Sequence, residues 1–430
     1  MDDARKNSAI FVFAYLITSF INYAFGVVLS WYLNPAQFGV LGVAQSLLLM
    51  TGLVVGSGFA WTAARDLAVS GADEQTRLRF RAALFANTAL GAALSLGIWS
   101  AYQLNWLFLG PAYSLVIPFL GITTFLLSIR SVINGASRGL YQFKLVALNL
   151  IGEVVIKACL GLLLVTMGMG VAGVMAAFAL GAFVSLLHSL WIIHPARLWQ
   201  GKGWFYPPII TETGPLFMAM LGPALMLNLD ILGLKLLSPI EFGDTLAGHY
   251  QAAVILARGP VFVAQAITLV IFSYAASDGK RSDQSSRSHP SNYLRTAMQA
   301  WFFLLLPISL MLMVFPKPIL TVLFPADYQS ASLALQIAAG GGATLALVTL
   351  LIGVLQAGGE KRYTVFSALS AILIQVVTLL WLVPRWGPTG AAISMLCAGI
   401  TALLALLPAF MRKGSEFWPG LRPIHQLLDR

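Results

Sequence analysis

The sequence predicts an all-α polytopic membrane protein, with twelve transmembrane helices in two six-helix lobes around a central cavity. Three observations support this fold class. Hydrophobic residues make up 58% of the 430-residue chain and charged residues only 10%, against about 25% in soluble proteins. Apolar stretches long enough to cross a bilayer recur along the whole chain. Short motifs also recur at matching places in its two halves.

The individual spans follow from length, because the hydrocarbon core requires about 20 apolar residues per helix. None of the stretches alternates with a period of two, as a membrane β-barrel would require, so helices are predicted. The predicted spans lie at roughly 9–31, 40–60, 82–104, 112–134, 146–167, 171–193, 214–237, 247–274, 296–316, 332–357, 364–384 and 388–411.

Basic residues are distributed unevenly among the connections between spans. The connections after even-numbered spans and both termini are rich in Lys and Arg, whereas the opposite connections hold little beyond Lys317 and Arg385. The positive-inside rule therefore predicts a multi-pass membrane protein with both termini in the cytoplasm. The net charge of +10 reflects this asymmetry and contact with anionic lipid. Nucleic acid is not an expected partner, because no dense basic stripe with interleaved aromatic residues is present.

An internal repeat divides the chain. A Leu-x-Pro-x-x-Phe-Gly motif at 33–39 returns 204 residues later at 237–243, each time after the first span of a lobe. A Gly-x-x-Gly motif precedes span 6 at 170–173 and span 12 at 387–390. An even number of spans separates the copies, so the repeats run parallel. The sequence thus predicts an N-terminal lobe of residues 1–203, a C-terminal lobe of residues 204–430, and alternating access between them.

The exit from span 1, residues 31–39, resembles that of polysaccharide transporters (Wzx-type O-antigen flippases) of the multidrug/oligosaccharidyl-lipid/polysaccharide exporter superfamily. Residues 228–253 are also similar to that family, with Asp230 late in span 7 and a Gly-x-Tyr-x-x-Ala pattern opening span 8. The resemblance implies a flippase for a polyprenyl-pyrophosphate-linked oligosaccharide that serves surface polysaccharide synthesis. Its expected partners are that lipid-linked substrate and the bilayer, with polysaccharide polymerases or glycosyltransferases as candidates.

Ionisable residues within the spans are costly and therefore indicate function. The candidates for lining the cavity are Glu153, Lys157, Asp230 and Arg258. Glu153 and Lys157 are four residues apart on one helix face, which fits either an internal salt bridge or a role in the cavity. Arg258 suits an anionic headgroup or an ion pair with Asp230. Asp230 is also the candidate for ion coupling.

Two further groups of residues are candidates. Arg65, Arg130 and Arg138 are predicted at the inner ends of spans 2 and 4, where they either determine topology or gather the pyrophosphate at a cytoplasmic mouth. Helix breakers in spans 7 and 8 predict bends that suit gating. The residues at these bends are Gly222, Pro223, Gly259 and Pro260.

Two other functions compete with a flippase. One is an ion-coupled exporter of small cationic drugs in the same fold, and the other is a membrane polysaccharide polymerase or glycosyltransferase. With Arg65 counted beside Lys157 and Arg258, cations outnumber the anions Glu153 and Asp230, which favours an anionic substrate. No outer loop is long, and the sequence lacks a nucleotide-binding glycine loop, a catalytic triad and a metal-ligand cluster. We therefore expect no enzymatic activity, no cofactor and no metal.

Overall fold

The computed structural model describes residues 2–106, 110, 113–213, 222, 225–279, 290–357 and 361–412. Every regular element in these residues is helical. The helices are α1 (Asp2–Leu29), α2 (Pro35–Gly56), α3 (Gly58–Ser70), α4 (Glu74–Gln103), α5 (Val116–Gly139), α6 (Phe143–Leu164), α7 (Gly170–Ile193), α8 (Leu229–Leu237), α9 (Gly243–Ala257), α10 (Gly259–Gly279), α11 (Pro290–Ala300), α12 (Leu306–Val314), α13 (Pro316–Leu323), α14 (Ser332–Ala357) and α15 (Lys361–Arg412).

The helices are those of a multi-pass membrane protein, which confirms the predicted fold class. Among the described residues, seven helical stretches are long and apolar enough to cross a membrane, or eight if the bent pair α9–α10 counts as one span. Of predicted span 7, residues 214–221, 223 and 224 lie outside the described residues. The number of twelve spans stays a prediction, but two of the observed stretches each contain two predicted spans.

The first of these stretches, 143–193, is a pair of antiparallel helices. Gly168 and Gly170 adopt positive φ angles of 86° and 51°, which glycine tolerates because it has no Cβ. A Cβ on Gly173 in α7 would then lie 3.3 Å from the backbone carbon of Leu164 in α6. Nine residues of straight helix would separate these two residues by about 13 Å, so the chain has turned back on itself.

The second stretch, α15, turns in the same way. Gly387 has φ 52° and ψ −126°, close to the φ 51° and ψ −139° of Gly170. A Cβ on Gly390 would lie 2.5 Å from the carbonyl oxygen of Leu382. In both copies of the Gly-x-x-Gly motif, the first glycine thus permits the turn and the second permits close packing of the two helices.

The first Leu-x-Pro-x-x-Phe-Gly motif starts α2. The side chain of Asn34 accepts a hydrogen bond from the Gln37 amide at 2.9 Å, and the Gln37 side chain accepts one from the Asn34 amide at 3.2 Å. This capping box, with Pro35 at the first helical position, fixes the start of the helix. Gly39 then allows contact with α9, because a Cβ there would overlap the carbonyl oxygen of Asp244.

The chain divides into two compact units, Met1–Gln251 and Ala252–Arg430. The described residues between 204 and 251 therefore pack with the first unit, and the predicted lobes, 1–203 and 204–430, stay a prediction. In the second unit, α14 packs closely on its neighbours through glycines. A Cβ on Gly342 would overlap the carbonyl oxygen of Ala257.

The contact between α2 and α9 leads to a test of stability. We expect Gly39→Ala to lower the melting temperature of the detergent-solubilised protein by several degrees, because overpacking typically costs about 1–3 kcal/mol. Gly97→Ala is the matched control, since a Cβ at Gly97 in α4 meets no atom within 4 Å. Equal melting temperatures of the Gly39→Ala variant and the unmodified protein would contradict the tight contact.

Candidate functional site

Three of the predicted ionisable residues come together in the first unit. Arg130 on α5 donates through Nη1 both to Oε2 of Glu153 on α6 and, at 2.8 Å, to Oγ of Ser185 on α7. Lys157 donates to Oδ1 of Asn22 on α1 at 2.5 Å. The ion pair of Glu153 is therefore with Arg130, on the neighbouring helix, and not with Lys157.

Glu153 and Lys157 lie on the side of α6 that faces the helix bundle. The exposed apolar side chains on the opposite side of α6 are Leu148, Val155 and Leu163. Glu153 and Lys157 are each two residues from Val155, which is about 200° around the helix axis at 3.6 residues per turn. The side chains of Arg130 and Glu153 keep 13% and 16% exposure, so this ion pair is accessible on the bundle side.

A buried polar network holds Arg130 in place. Ser185 donates to Oδ1 of Asn149 at 3.1 Å, and Nδ2 of Asn149 donates to Oγ of Ser189 at 2.7 Å. Ser189 donates in turn to Oδ1 of Asn134 at 2.8 Å. Asn134 lies one turn after Arg130 on α5, so the network closes on itself and ties α5, α6 and α7 together.

Sequence reasoning missed this network, although a spacing signal was present. Three helices each carry two polar residues four positions apart, which places each pair on one helix face. A single Ser or Asn in an apolar span is not informative. Pairs of polar residues four positions apart on three helices, however, indicate a polar layer that the three helices share. The pairs are Arg130 and Asn134, Asn149 and Glu153, and Ser185 and Ser189.

The cluster formed by Arg130, Glu153 and Lys157 carries two cations and one carboxylate, a formal net charge of +1. The Lys157 ammonium also lies 4.5 Å from the ring centroid of Phe178, a cation–π distance. In the described part of the chain, Nε of Arg130 is buried and has no hydrogen-bond partner. The cluster therefore has the charge and a vacant donor with which to bind an anion.

Arg65 and Arg138, the other two predicted mouth residues, have different surroundings. Arg65 forms an ion pair with Asp66 at 3.1 Å. The guanidinium of Arg138 lies 5.6 Å from the ring centroid of Trp61. All three arginines are predicted at the inner ends of spans 2 and 4, and their role at a cytoplasmic mouth stays a prediction. Arg130 lies nine residues before the end of α5, about 13 Å along the axis, and belongs to the interior cluster.

The segment that follows α7, residues 194–213, is fixed to α4 by Arg81. This arginine is fully buried. It donates to the backbone carbonyls of Gly203 at 2.8 Å, of Lys202 at 2.7 Å and of Gln200. Three carbonyl acceptors satisfy the buried guanidinium, and the segment loses its freedom to move independently.

Arg79, two residues before Arg81 on α4, forms an ion-pair network. It pairs with Asp66 at 2.6 Å and with Glu212, and its guanidinium lies 5.3 Å from the ring centroid of Tyr206. Glu212 also lies 3.8 Å from Arg65. The residues just before predicted span 7, Tyr206 to Glu212, are thereby held against α3 and α4.

Asp230 is wholly buried in the first unit, on α8. Its Oδ2 accepts a hydrogen bond from the Tyr250 hydroxyl at 2.8 Å, and its Oδ1 accepts one from the Ile231 amide at 2.9 Å. Tyr250 is the tyrosine of the Gly-x-Tyr-x-x-Ala pattern, which therefore supplies a partner for the buried acid. Nearby on α8, Lys235 forms an ion pair with Asp244 at 2.5 Å.

Of the two predicted bends, the one in span 8 lies within the described residues, whereas the one in span 7 is described only at Gly222. Arg258 is 6% exposed and lies at the break between α9 and α10, where the helix axis changes direction by 41° just before Gly259 and Pro260. Gly222 is helical and buried. Pro223 lies outside the described residues. The bend in span 8 is therefore present, and the gating role of all four residues stays a prediction.

Comparison with protein families gives one match. The model of the polysaccharide biosynthesis protein family matches residues 4–277. No curated protein gives a significant match to this chain.

Several solved structures share the fold. An inward-facing multidrug resistance MATE family transporter of the MOP superfamily has 16% identity and a TM-score of 0.68, with 95% of this chain and 98% of that chain covered. The lipid II flippase MurJ, in an inward closed conformation, has 13% identity and a TM-score of 0.72, with 94% and 87% covered. A MOP superfamily transporter from Pyrococcus furiosus, described as having a binding pocket of reverse polarity, has 16% identity and a TM-score of 0.64, with 96% of each chain covered.

The contacts of Arg81 predict a change in protease sensitivity. We expect Arg81→Ala to leave three carbonyls without their donor and to raise the rate of tryptic cleavage at Arg197 or Lys202 by about tenfold, since hydrogen bonds to charged groups contribute about 1.5–3 kcal/mol. Lys144→Ala, at an exposed position on α6, is the control. Unchanged cleavage of the Arg81→Ala protein would show that Arg81 does not hold the segment.

Proposed function

The chain belongs to the polysaccharide biosynthesis protein family, and on that basis we propose that it is a flippase that moves a polyprenyl-pyrophosphate-linked oligosaccharide across the plasma membrane. The observation that carries the proposal is the cluster of Arg130, Lys157 and Glu153. It places two cations against one carboxylate on the bundle side of α5 and α6. Surface polysaccharide synthesis is the process that such a lipid-linked unit would serve.

The depth of the cluster suits the charged part of this substrate. Glu153 and Lys157 are the eleventh and fifteenth residues of the 22-residue helix α6, near the middle of a membrane span. A pyrophosphate that crosses the hydrocarbon region needs compensating positive charge there, because an unpaired charge in this region is costly. A guanidinium binds phosphate oxygens in a bidentate manner, and an ammonium adds a point charge.

The direction of transport follows from the predicted topology. With both termini in the cytoplasm, Arg65 and Arg138 lie at the cytoplasmic ends of α3 and α5, where positive charge attracts an anionic headgroup. The substrate is then loaded from the cytoplasm and released outside. Arg258, buried at the bend in the second unit, is a further cation along the route.

Alternating access between the lobes 1–203 and 204–430 supplies the movement. Bends in spans 7 and 8 serve as gating elements, and their residues are Gly222, Pro223, Gly259 and Pro260. Asp230 is the candidate for ion coupling, since its carboxylate is fully buried and accepts a hydrogen bond from the Tyr250 hydroxyl. Polymerases or glycosyltransferases are the partners that would supply or use the substrate.

A multidrug exporter is the second candidate function, because the MATE family transporter has the same fold. Export of cationic drugs favours an acidic lining, whereas the cluster in this chain has a formal charge of +1. The sign of the charge therefore favours the flippase. An enzyme is the least favoured candidate, because the structurally similar proteins are transporters.

The lipids of a strain that lacks this protein distinguish the two transport functions. A flippase predicts that the pyrophosphate-linked oligosaccharide accumulates while surface polysaccharide is lost. If both stay unchanged and sensitivity to cationic drugs rises, the exporter is the better account and the flippase proposal fails.

The cation cluster predicts a loss of export in variants. We expect Lys157→Ala to reduce surface polysaccharide at least tenfold at matched membrane abundance, because the headgroup loses a charge-assisted contact of about 1.5–3 kcal/mol. Arg258→Ala should act in the same direction. Lys144→Ala is the matched control for loss of one lysine. Normal export by both the Lys157→Ala and Arg258→Ala variants would remove these residues from the substrate route.

The coupling role of Asp230 has its own test. We expect Asp230→Asn, which keeps the size of the side chain but removes its charge, to abolish any dependence of transport on a proton or sodium gradient. Transport is measured in vesicles with and without an imposed gradient. Gradient dependence equal to that of the unmodified protein would exclude Asp230 as the coupling site.

A further inference from the structure

Glu153 and the anionic headgroup of the substrate would compete for the same cation. We propose that Glu153 is an internal counter-anion: it occupies Arg130 in the empty transporter, and a pyrophosphate displaces it during loading. The inference rests on the proposed flippase function and adds the basis of its selectivity. A doubly charged headgroup releases Arg130 from Glu153, and a neutral or singly charged lipid does not.

The hydrogen bonds of Arg130 leave it able to exchange partners. A single nitrogen, Nη1, donates to both Glu153 and Ser185. Nε is buried and has no partner among the described residues. Guanidinium groups hold carboxylates and phosphates best through two parallel hydrogen bonds, and the contact with Glu153 does not use Nε. A phosphate that engages Nε together with a terminal nitrogen would bind this arginine better than Glu153 does.

Lys157 provides the second charge that selects a dianion. It lies one helical turn from Glu153, yet its ammonium donates to Asn22 and contacts the Phe178 ring. The carboxylate therefore neutralises only one of two adjacent cations. Exchange for a group with two negative charges would neutralise both, whereas exchange for a single negative charge brings no electrostatic gain over Glu153.

The polar network makes the exchange reversible. Ser185 stays bonded to Arg130 and is itself held by Asn149, so Arg130 keeps its position when Glu153 moves away. A cation within a membrane span that loses its partner is unfavourable unless another anion replaces that partner. Glu153 therefore releases Arg130 only when the headgroup arrives, and its return displaces the headgroup at the end of the cycle.

Binding of inorganic pyrophosphate to the purified full-length chain tests the exchange. Calorimetric titration is performed on the unmodified protein and on the Glu153→Gln, Lys157→Ala and Asp244→Asn variants. Glu153→Gln should lower the Kd for pyrophosphate about tenfold, because it removes a competing charged hydrogen bond. Lys157→Ala should raise the Kd. Asp244→Asn also frees a buried lysine from its carboxylate but leaves the ion pair of Arg130 intact, so its Kd should match that of the unmodified protein.

Transport provides a second measurement that a purely structural role of Glu153 would not reproduce. In vesicles, Glu153→Gln should lower both KM and kcat for the lipid-linked oligosaccharide, since loading becomes easier and release slower. If Glu153→Gln fails to fold, Glu153→Asp is used. Its carboxylate is one methylene shorter and competes less well for Arg130, so its Kd should fall in the same direction.

The outcomes separate this inference from the proposed function. If Glu153→Gln and the unmodified protein bind pyrophosphate equally while Lys157→Ala weakens binding, the exchange is wrong and the cationic headgroup site stands. If Asp244→Asn lowers the Kd as much as Glu153→Gln does, the effect is one of general charge and the exchange is also wrong. If no protein binds pyrophosphate and the chain binds cationic drugs instead, the exchange and the flippase proposal both fail.

Discussion

A charged side chain within the hydrocarbon region is tolerated only when an opposite charge or a set of hydrogen bonds compensates it. The candidate site in this chain depends on that constraint. Arg130 meets it with Glu153 and Ser185, and Lys157 meets it with Asn22. These contacts cross from α5 to α6 and α7, and from α6 to α1. The ionisable residues thus also have a structural role, because their contacts join α1, α5, α6 and α7 of the first unit.

Close backbone packing is the second constraint, and glycine satisfies it in both Gly-x-x-Gly motifs and in the first Leu-x-Pro-x-x-Phe-Gly motif. Gly170 and Gly387 turn the chain between antiparallel helices with nearly the same φ and ψ angles. Gly39 brings α2 against α9, where any side chain would overlap a carbonyl oxygen. The internal repeat therefore records backbone requirements that recur in both halves of the chain. The charged cluster, in contrast, has its described members in the first half only.

Helix content and most helix positions could be predicted from the sequence, because apolar length and glycine turns are local properties. The position of Arg130 is an example of what could not be predicted from the sequence. Predicted span 4 ended at residue 134, which placed Arg130 near a helix end, whereas α5 runs to Gly139 and places it in the interior. Partners on other helices, such as Ser185, are set by helix rotation and register. Such contacts between helices cannot be read directly from a single sequence, although the pairs of polar residues spaced four positions apart gave a partial signal.

The central claim is that the cation cluster recognises a pyrophosphate within a membrane span. The most direct measurement reconstitutes the purified protein in vesicles and compares two lipids that carry the same oligosaccharide. In one lipid the glycan is joined to the polyprenol through pyrophosphate, and in the other it is joined directly. The account predicts that the protein moves the first lipid across the bilayer and leaves the second at the rate of protein-free vesicles. Equal movement of both lipids would contradict it, because the charged cluster would then have no part in recognition.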